Sequence, residues 1–194
     1  DSYRSDLEKI KSSIPQVAAI TPFVGKEALI RSKTKIDGIY VNGVDLETDF
    51  SETKDQIVDG KYSLLGNGLG NVTEIVIGKK LANKLNVKVG DKIIIQAING
   101  LPSPMNMPRI FQYTISGLYE TGMSEYDDLN VYMSMKASQA LFNYGNSVSG
   151  YSVKIHDPQK AAEVGSNIMR IMGYPYYART IFQIYRNFFN WIEL

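Results

Sequence analysis

A similar local grammar stands at both ends of this chain, a helix beside short strands, and a β-rich stretch lies between them. At the first end Ser5 and Glu8 make a capping box, and Leu7, Ile10 and Ile14 share one helical face. Pro15 then closes a predicted helix over 5–14. Residues 17–32, interrupted by Pro22 and Gly25, and residues 38–44 read as two strands joined near 33–37. At the other end 150–155 alternates as a strand. Asp157-Pro158 opens a helix whose face is Ala161, Val164, Ile168, Ile171 and Met172, and Gly173 ends it. Residues 174–179 read as one more short strand before an apolar run that includes Ile181, Phe182, Phe188, Trp191 and Leu194.

The middle differs. Residues 45–71 are polar and carry Gly66, Gly68 and Gly70, so they read as loop with one short helix near 53–58. A strand at 74–77, a helix at 79–85, a Gly90-Asp91 turn and β-rich segments at 92–98, 110–118 and 129–133 follow, then a helix over 136–144. The simplest organisation is discontinuous: a β-rich module, 45–145, inserted into an α/β module made of 1–44 and 146–194.

Composition narrows the chemistry. With 21 basic and 20 acidic residues the charge is too balanced for the basic footprint that phosphate backbones select, so nucleic acid is not an expected partner. No cysteine is present and His156 is the single histidine, which excludes thiol nucleophiles, cysteine zinc sites and the multi-histidine catalytic zinc centres. Gly25-Lys26 and Gly78-Lys79 both fail the phosphate-loop pattern, and Gly66-x-Gly68-x-Gly70 is one residue short of the dinucleotide fingerprint. Glu120, Glu125, Asp127 and Asp128 form the one acidic cluster, but their order is not that of a calcium loop, and a solvated connection between strands is the expectation. A carboxylate-dependent hydrolase or a calcium-binding adhesion module is the rival reading of that cluster. No catalytic residue, metal ligand or cofactor is expected.

The stretch 99–109, NGLPSPMNMPR, stands between two β-rich runs. Pro102, Pro104 and Pro108 stiffen it, while Leu101, Met105 and Met107 offer adaptable apolar contacts, a combination suited to a protein-binding hairpin tip. An ordinary loop folded onto its own domain is the alternative.

Residues 78–91, GKKLANKLNVKVGD, resemble the Gly-x-x-Leu-Ala-x-x-Leu-x-Val-x-x-Gly-Asp signature of the extracytoplasmic domain of ABC transporter permeases of the lipoprotein-releasing (LolC/LolE) and MacB kind. GVDLETD at 43–49, FQYTISGLYETGMSEYDDLNVYM at 111–133, SGYSVKIHDPQKA at 149–161 and ARTIFQIYRNFFNWIEL at 178–194 agree with it in order. The resemblance implies an α+β fold, a MacB-like periplasmic core domain, with a porter-like α/β module and an inserted β-rich Sabre module. It implies a periplasmic domain of an inner-membrane protein, between the first and second of four membrane helices, with 178–194 running into the second. The implied function is non-catalytic: release of lipoproteins from the inner membrane, with ATP hydrolysed by a separate cytoplasmic subunit and the motion transmitted to the periplasm. The implied partners are that ATPase, a second permease subunit (a paralogue or a second copy), lipoprotein substrates and a soluble periplasmic lipoprotein carrier.

In the LolC type a hairpin called the Hook inserts into the carrier, and 99–108 matches it by position. Leu101, Pro102, Pro104, Met105, Met107 and Pro108 are then the inserting residues, and Arg109 sits where the family has basic and polar groups near the hairpin base that help to hold the carrier, so the resemblance implies a partner-binding role for it as well. This loop is shorter than the typical Hook, so the resemblance leaves LolC, LolE and a single permease serving both roles open. A MacB-type export permease or an FtsX-type permease regulating cell-wall hydrolases is the alternative on the same fold.

Overall fold

Helix α1 (Ser2–Ser13) begins the computed structural model, which describes residues 2–49, 51–68, 72–98 and 108–184. The chain divides into two compact units, Thr21–Tyr151 and Asp1–Ile20 with Ser152–Leu194. In chain order after α1 come β1 (Val17–Arg31), β2 (Ile36–Val44), a 3-10 turn (Glu52–Gln56), β3 (Ile57–Gly60), β4 (Glu74–Gly78) and α2 (Lys79–Leu85). Then follow β5 (Lys92–Ala97), β6 (Ile110–Tyr119), α3 (Ser124–Leu129), β7 (Asn130–Ser134), α4 (Met135–Phe142) and β8 (Gly150–Ile155). A 3-10 turn (Pro158–Lys160), α5 (Ala161–Met172) and α6 (Ile181–Ile184) complete the described chain.

In the larger unit the strands close a ring. They run β2-β7-β4-β6-β5-β1, and β1 pairs back onto β2, with β3 added to β6. The β2–β7 and β4–β6 ladders are parallel; the other four contacts of the ring are antiparallel. Side chains alternate across a strand, so one residue in two faces the interior. Ile39 and Val41, Ile75 and Ile77, Ile93, Ile95 and Ala97, Tyr113 and Ile115, and Val131 and Met133 follow that period and share one buried cluster. Leu81 and Leu85 of α2 and Leu141 and Phe142 of α4 join the same cluster. Val76 and Tyr132, out of phase with that set, and Tyr119, which follows inward Leu118 beyond the register shift in β6, are buried with Leu64 in a second cluster. This is why β4 and β7 read as continuous apolar runs: both of their faces are covered.

One local expectation holds and one changes. The strand expected over 17–32 is Val17–Arg31, unbroken through Pro22 and Gly25, because the β1–β2 ladder starts only at Phe23, beyond the proline that lacks a donor. At Gly25 a Cβ would sit 2.3 Å from the Tyr40 hydroxyl oxygen, so glycine allows the close crossing. The acidic segment contains a helix, α3, and Asp127 on it is buried. The larger unit also takes in Thr21–Val44, since the β1–β2 hairpin is part of the ring.

The smaller unit has its own core. Ile10, Ile14, Val17 and Val164 are buried, with Ile20, Val153, Ile155, Ile168, Ile171 and Met172 packed around them. α1 starts at Ser2, so Ser5 lies within the helix rather than capping it. Asp157 does cap: its Oδ1 accepts from the Gln159 amide at 3.0 Å, and Pro158 stands at the first helical position. Residues 174–179 form no strand; Tyr174 is fully exposed, and Pro175 brings no ladder donor.

Candidate functional site

The β5–β6 ladder carries the hairpin. Its register runs from Lys92 opposite Thr114 to Gln96 opposite Ile110, and the Ala97 amide donates to the Arg109 carbonyl at 2.9 Å, so the two strands meet at 97 and 109. Leu101, Pro102, Pro104, Met105 and Met107 lie outside the described residues. Pro108 and Arg109 lie inside them, both half-buried at the root, while Ile98 and Ile110 on either side expose 43% and 57% of their surface.

The guanidinium of Arg109 turns to α4. Nη1 donates to the Ala140 carbonyl at 3.0 Å and Nη2 to Asn143 Oδ1 at 2.7 Å. Asn143 is the helix's left-handed C-cap, with φ +59°, and a cation there also complements the negative end of the helix. Lys26 of β1 reaches the same turn, its Nζ 5.7 Å from the ring centres of both Phe142 and Tyr144. A shallow depression lined by Gly25, Asn143, Tyr144, Ser147, Val148 and Ser149 lies beside it. α4 itself was legible from its period, and Asn-Tyr-Gly after it is a left-handed cap signal. The partner of that cap was not legible, because Arg109 comes from a distant strand.

The acidic segment is engaged internally. Asp127 accepts from the Thr121 amide with both carboxylate oxygens at 3.1 Å and from the Thr121 hydroxyl at 2.7 Å. Lys79 pairs with Glu120 at 3.1 Å, and Lys84 with Asp128 at 3.4 Å and with Asp37 at 2.5 Å. These contacts, chiefly with Asp37 and then Asp128, hold the Lys84 ammonium pKa above its ordinary value. Among the described residues no group of three or more acidic or histidine side chains is placed to hold a metal ion. His156 serves through its backbone, its amide donating to the Gln16 carbonyl at 3.0 Å.

Behind β6 and β7 lies a tyrosine cluster. Tyr119 stacks edge-on with Tyr126 and Tyr132 and donates to the Asn130 carbonyl at 2.9 Å; the Tyr126 and Tyr132 hydroxyls are bonded to each other. Tyr62 donates to Asp49 Oδ2 at 2.9 Å. Burial, before any neighbouring charge, raises the pKa of Tyr62, Tyr119 and Tyr132. This cluster is structural support for the ring.

Two solved structures share the fold. The extracellular domain of the noncanonic ABC-type transporter YknZ from Gram-positive bacteria aligns with a TM-score of 0.56 and 19% identity, covering 86% of this chain and 80% of that one. The periplasmic region of MacB from Actinobacillus actinomycetemcomitans aligns at 0.56 and 14%, covering 96% and 82%. The architecture is thus one that extracytoplasmic domains of ABC transporters adopt. The chain belongs to the MacB-like periplasmic core domain family, whose profile matches residues 1–171.

Full-length relatives point to one branch. The lipoprotein-releasing system transmembrane protein LolC of Xylella fastidiosa is 31% identical over 167 residues, 84% of this chain and 39% of that protein. LolC of Neisseria meningitidis is 28% identical over 156 residues, covering 79% and 37%. LolE of Haemophilus influenzae is 26% identical over 175 residues, covering 84% and 39%. The chain therefore spans about two fifths of these proteins, as a LolC/LolE-type periplasmic domain. Among the described residues no helix is long and apolar enough to cross a membrane.

Proposed function

We propose that this chain is the periplasmic, non-catalytic domain of a lipoprotein-releasing ABC permease, and that it docks a soluble lipoprotein carrier on the hairpin between β5 and β6. The reading is supported first by the similarity to LolC proteins over most of the chain. The hairpin's place in the fold adds to it: a connection whose sequence is rich in proline and methionine joins two antiparallel strands of a closed ring, with exposed Ile98 and Ile110 on either side. Leu101, Pro102, Pro104, Met105, Met107 and Pro108 supply the inserting contacts, with Arg109 at the root. Prolines lower the ordering entropy lost on docking, and methionines adapt to an apolar groove.

In this reading a separate cytoplasmic ATPase drives the permease, a second permease subunit completes it, and this domain carries the motion to the carrier and the lipoprotein substrate. The family's porter-like and Sabre-like modules then correspond to 1–44 with 146–194 and to 45–145, with the β1–β2 hairpin of the first lent to the ring of the larger compact unit. A ring closed on itself has no free edge to shear, which suits a part that transmits force.

Surface plasmon resonance with the lipoprotein carrier of the same organism tests this. Saturable binding by the native chain, lost when Pro102, Met105, Met107 and Pro108 are all changed to Ser, is the expected result. If the folded native chain does not bind the carrier but binds a membrane-fusion adaptor, the permease belongs to the MacB-type export class instead.

A further inference from the structure

Resting on the docking reading above, we propose that Arg109 is a positioning residue, which sets the exit of the hairpin by clamping its root to the last turn of α4, and does not itself contact the carrier. Both terminal nitrogens of its guanidinium are committed to α4, at 3.0 Å to the Ala140 carbonyl and 2.7 Å to Asn143 Oδ1. Its carbonyl meanwhile holds the Ala97 amide that ends the β5–β6 ladder. One residue, immediately before the hairpin's return strand, therefore joins the hairpin root to a helix end.

The base of the clamp is firm. At Gly43 of β2 a Cβ would stand 1.8 Å from Ser138 Oγ and 2.5 Å from its Cβ, so α4 lies directly on the β2 backbone. From the other side Lys26 covers Phe142 and Tyr144 at the helix end. An arginine suits the task because its planar fork satisfies two acceptors at once with fixed geometry; a lysine presents a single point charge. The root, at Ala97 and Arg109, is thereby tied through α4 to β2.

The test uses the 194-residue chain with Arg109→Ala, Arg109→Lys, Asn143→Gly and the double variant Arg109→Ala/Asn143→Gly. Glycine keeps the left-handed cap while deleting the acceptor. Two quantities are read: hydrogen exchange at the Ala97 amide, and affinity for the lipoprotein carrier of the same organism. Loss of a charge-assisted bond predicts about tenfold faster exchange and about tenfold weaker binding in Arg109→Ala and in Asn143→Gly. The double variant is expected to be no worse than Arg109→Ala, with Arg109→Lys intermediate. Binding lost in Arg109→Ala while Asn143→Gly is native in both readouts makes Arg109 a direct contact and overturns the proposal. If the native chain does not bind the carrier, the docking reading fails, and the exchange arm alone decides the clamp: an Ala97 amide unchanged in Arg109→Ala overturns it.

Discussion

The two units are built on different principles. Among the described residues the ring of the larger unit gathers 21 buried apolar side chains into one cluster, while the smaller unit gathers four, Ile10, Ile14, Val17 and Val164. The ring closes every strand of its circuit against a neighbour; the smaller unit relies on α1 and α5 covering short stretches of β1 and β8. A closed, densely packed ring resists deformation, which is what the proposed docking role asks of the hairpin's root. A unit with a thin core yields more readily, as expected of a part that moves.

Alkaline pH strains this contrast most. Tyr62, Tyr113, Tyr119 and Tyr132 of the larger unit have hydroxyls whose pKa is raised above the ordinary value of about 10, burial being the leading cause in each. Above that ordinary value the unfolded chain holds fewer protons than the folded one, so their contribution is complete below about pH 10 and is lost as pH rises. Absorbance of tyrosinate and circular dichroism followed together should show these four ionising only with cooperative loss of the ring. In the smaller unit Tyr176, raised chiefly by its bond to Asp6, should titrate without unfolding. Ionisation of the whole set of 13 tyrosines before any structural change would erase the distinction.

Single substitutions sharpen it in decreasing steps. Ile115→Ala, at a fully buried ring position, should destabilise the larger unit by about 4 kcal/mol in urea denaturation. Gly78→Ala should cost about 3 kcal/mol, because the new Cβ would stand 1.9 Å from the Asp127 carbonyl oxygen, a backbone atom that cannot swing away. Ile14→Ala should cost about 2 kcal/mol and raise hydrogen exchange in α1 and α5 alone; exchange spreading into β4 and β6 would mean the units do not yield separately. The smallest effects form a pair. Tyr119→Phe removes the donor to the Asn130 carbonyl and should cost about 1 kcal/mol, whereas Tyr113→Phe removes a buried hydroxyl with no hydrogen-bond partner among the described residues and should be neutral or stabilising.

Local signals and distant pairings were not equally readable. The β-rich composition of 92–98 and 110–118 and the strand read at 74–77 foretold β5, β6 and β4, because β-branched and aromatic enrichment is a local property of the segment. Lys79–Leu85 emerged as predicted for the same reason: its apolar face is local. Ring closure was not legible, since β1 meeting both β2 and β5 is decided by register across the fold. α3 was missed because Ser-Glu-Tyr-Asp-Asp reads as polar connection, and no apolar period marks the fold-back in which Asp127 bonds to Thr121. Family membership was carried by the 78–91 signature and its four companions, which no periodicity argument supplies. Of the hairpin, composition marked the tip, but the engagement of Arg109 with Asn143 could be found only in three dimensions.

Photo-cross-linking in intact cells reaches the central claim most directly. A photoreactive residue placed at Met105, in the permease that contains this chain, should give an adduct with the periplasmic lipoprotein carrier, while the same group at Ile36, an exposed residue at the start of β2, should give none. A permease that still releases lipoproteins yet yields no adduct at Met105, or yields it equally at Ile36, would contradict docking through the β5–β6 hairpin.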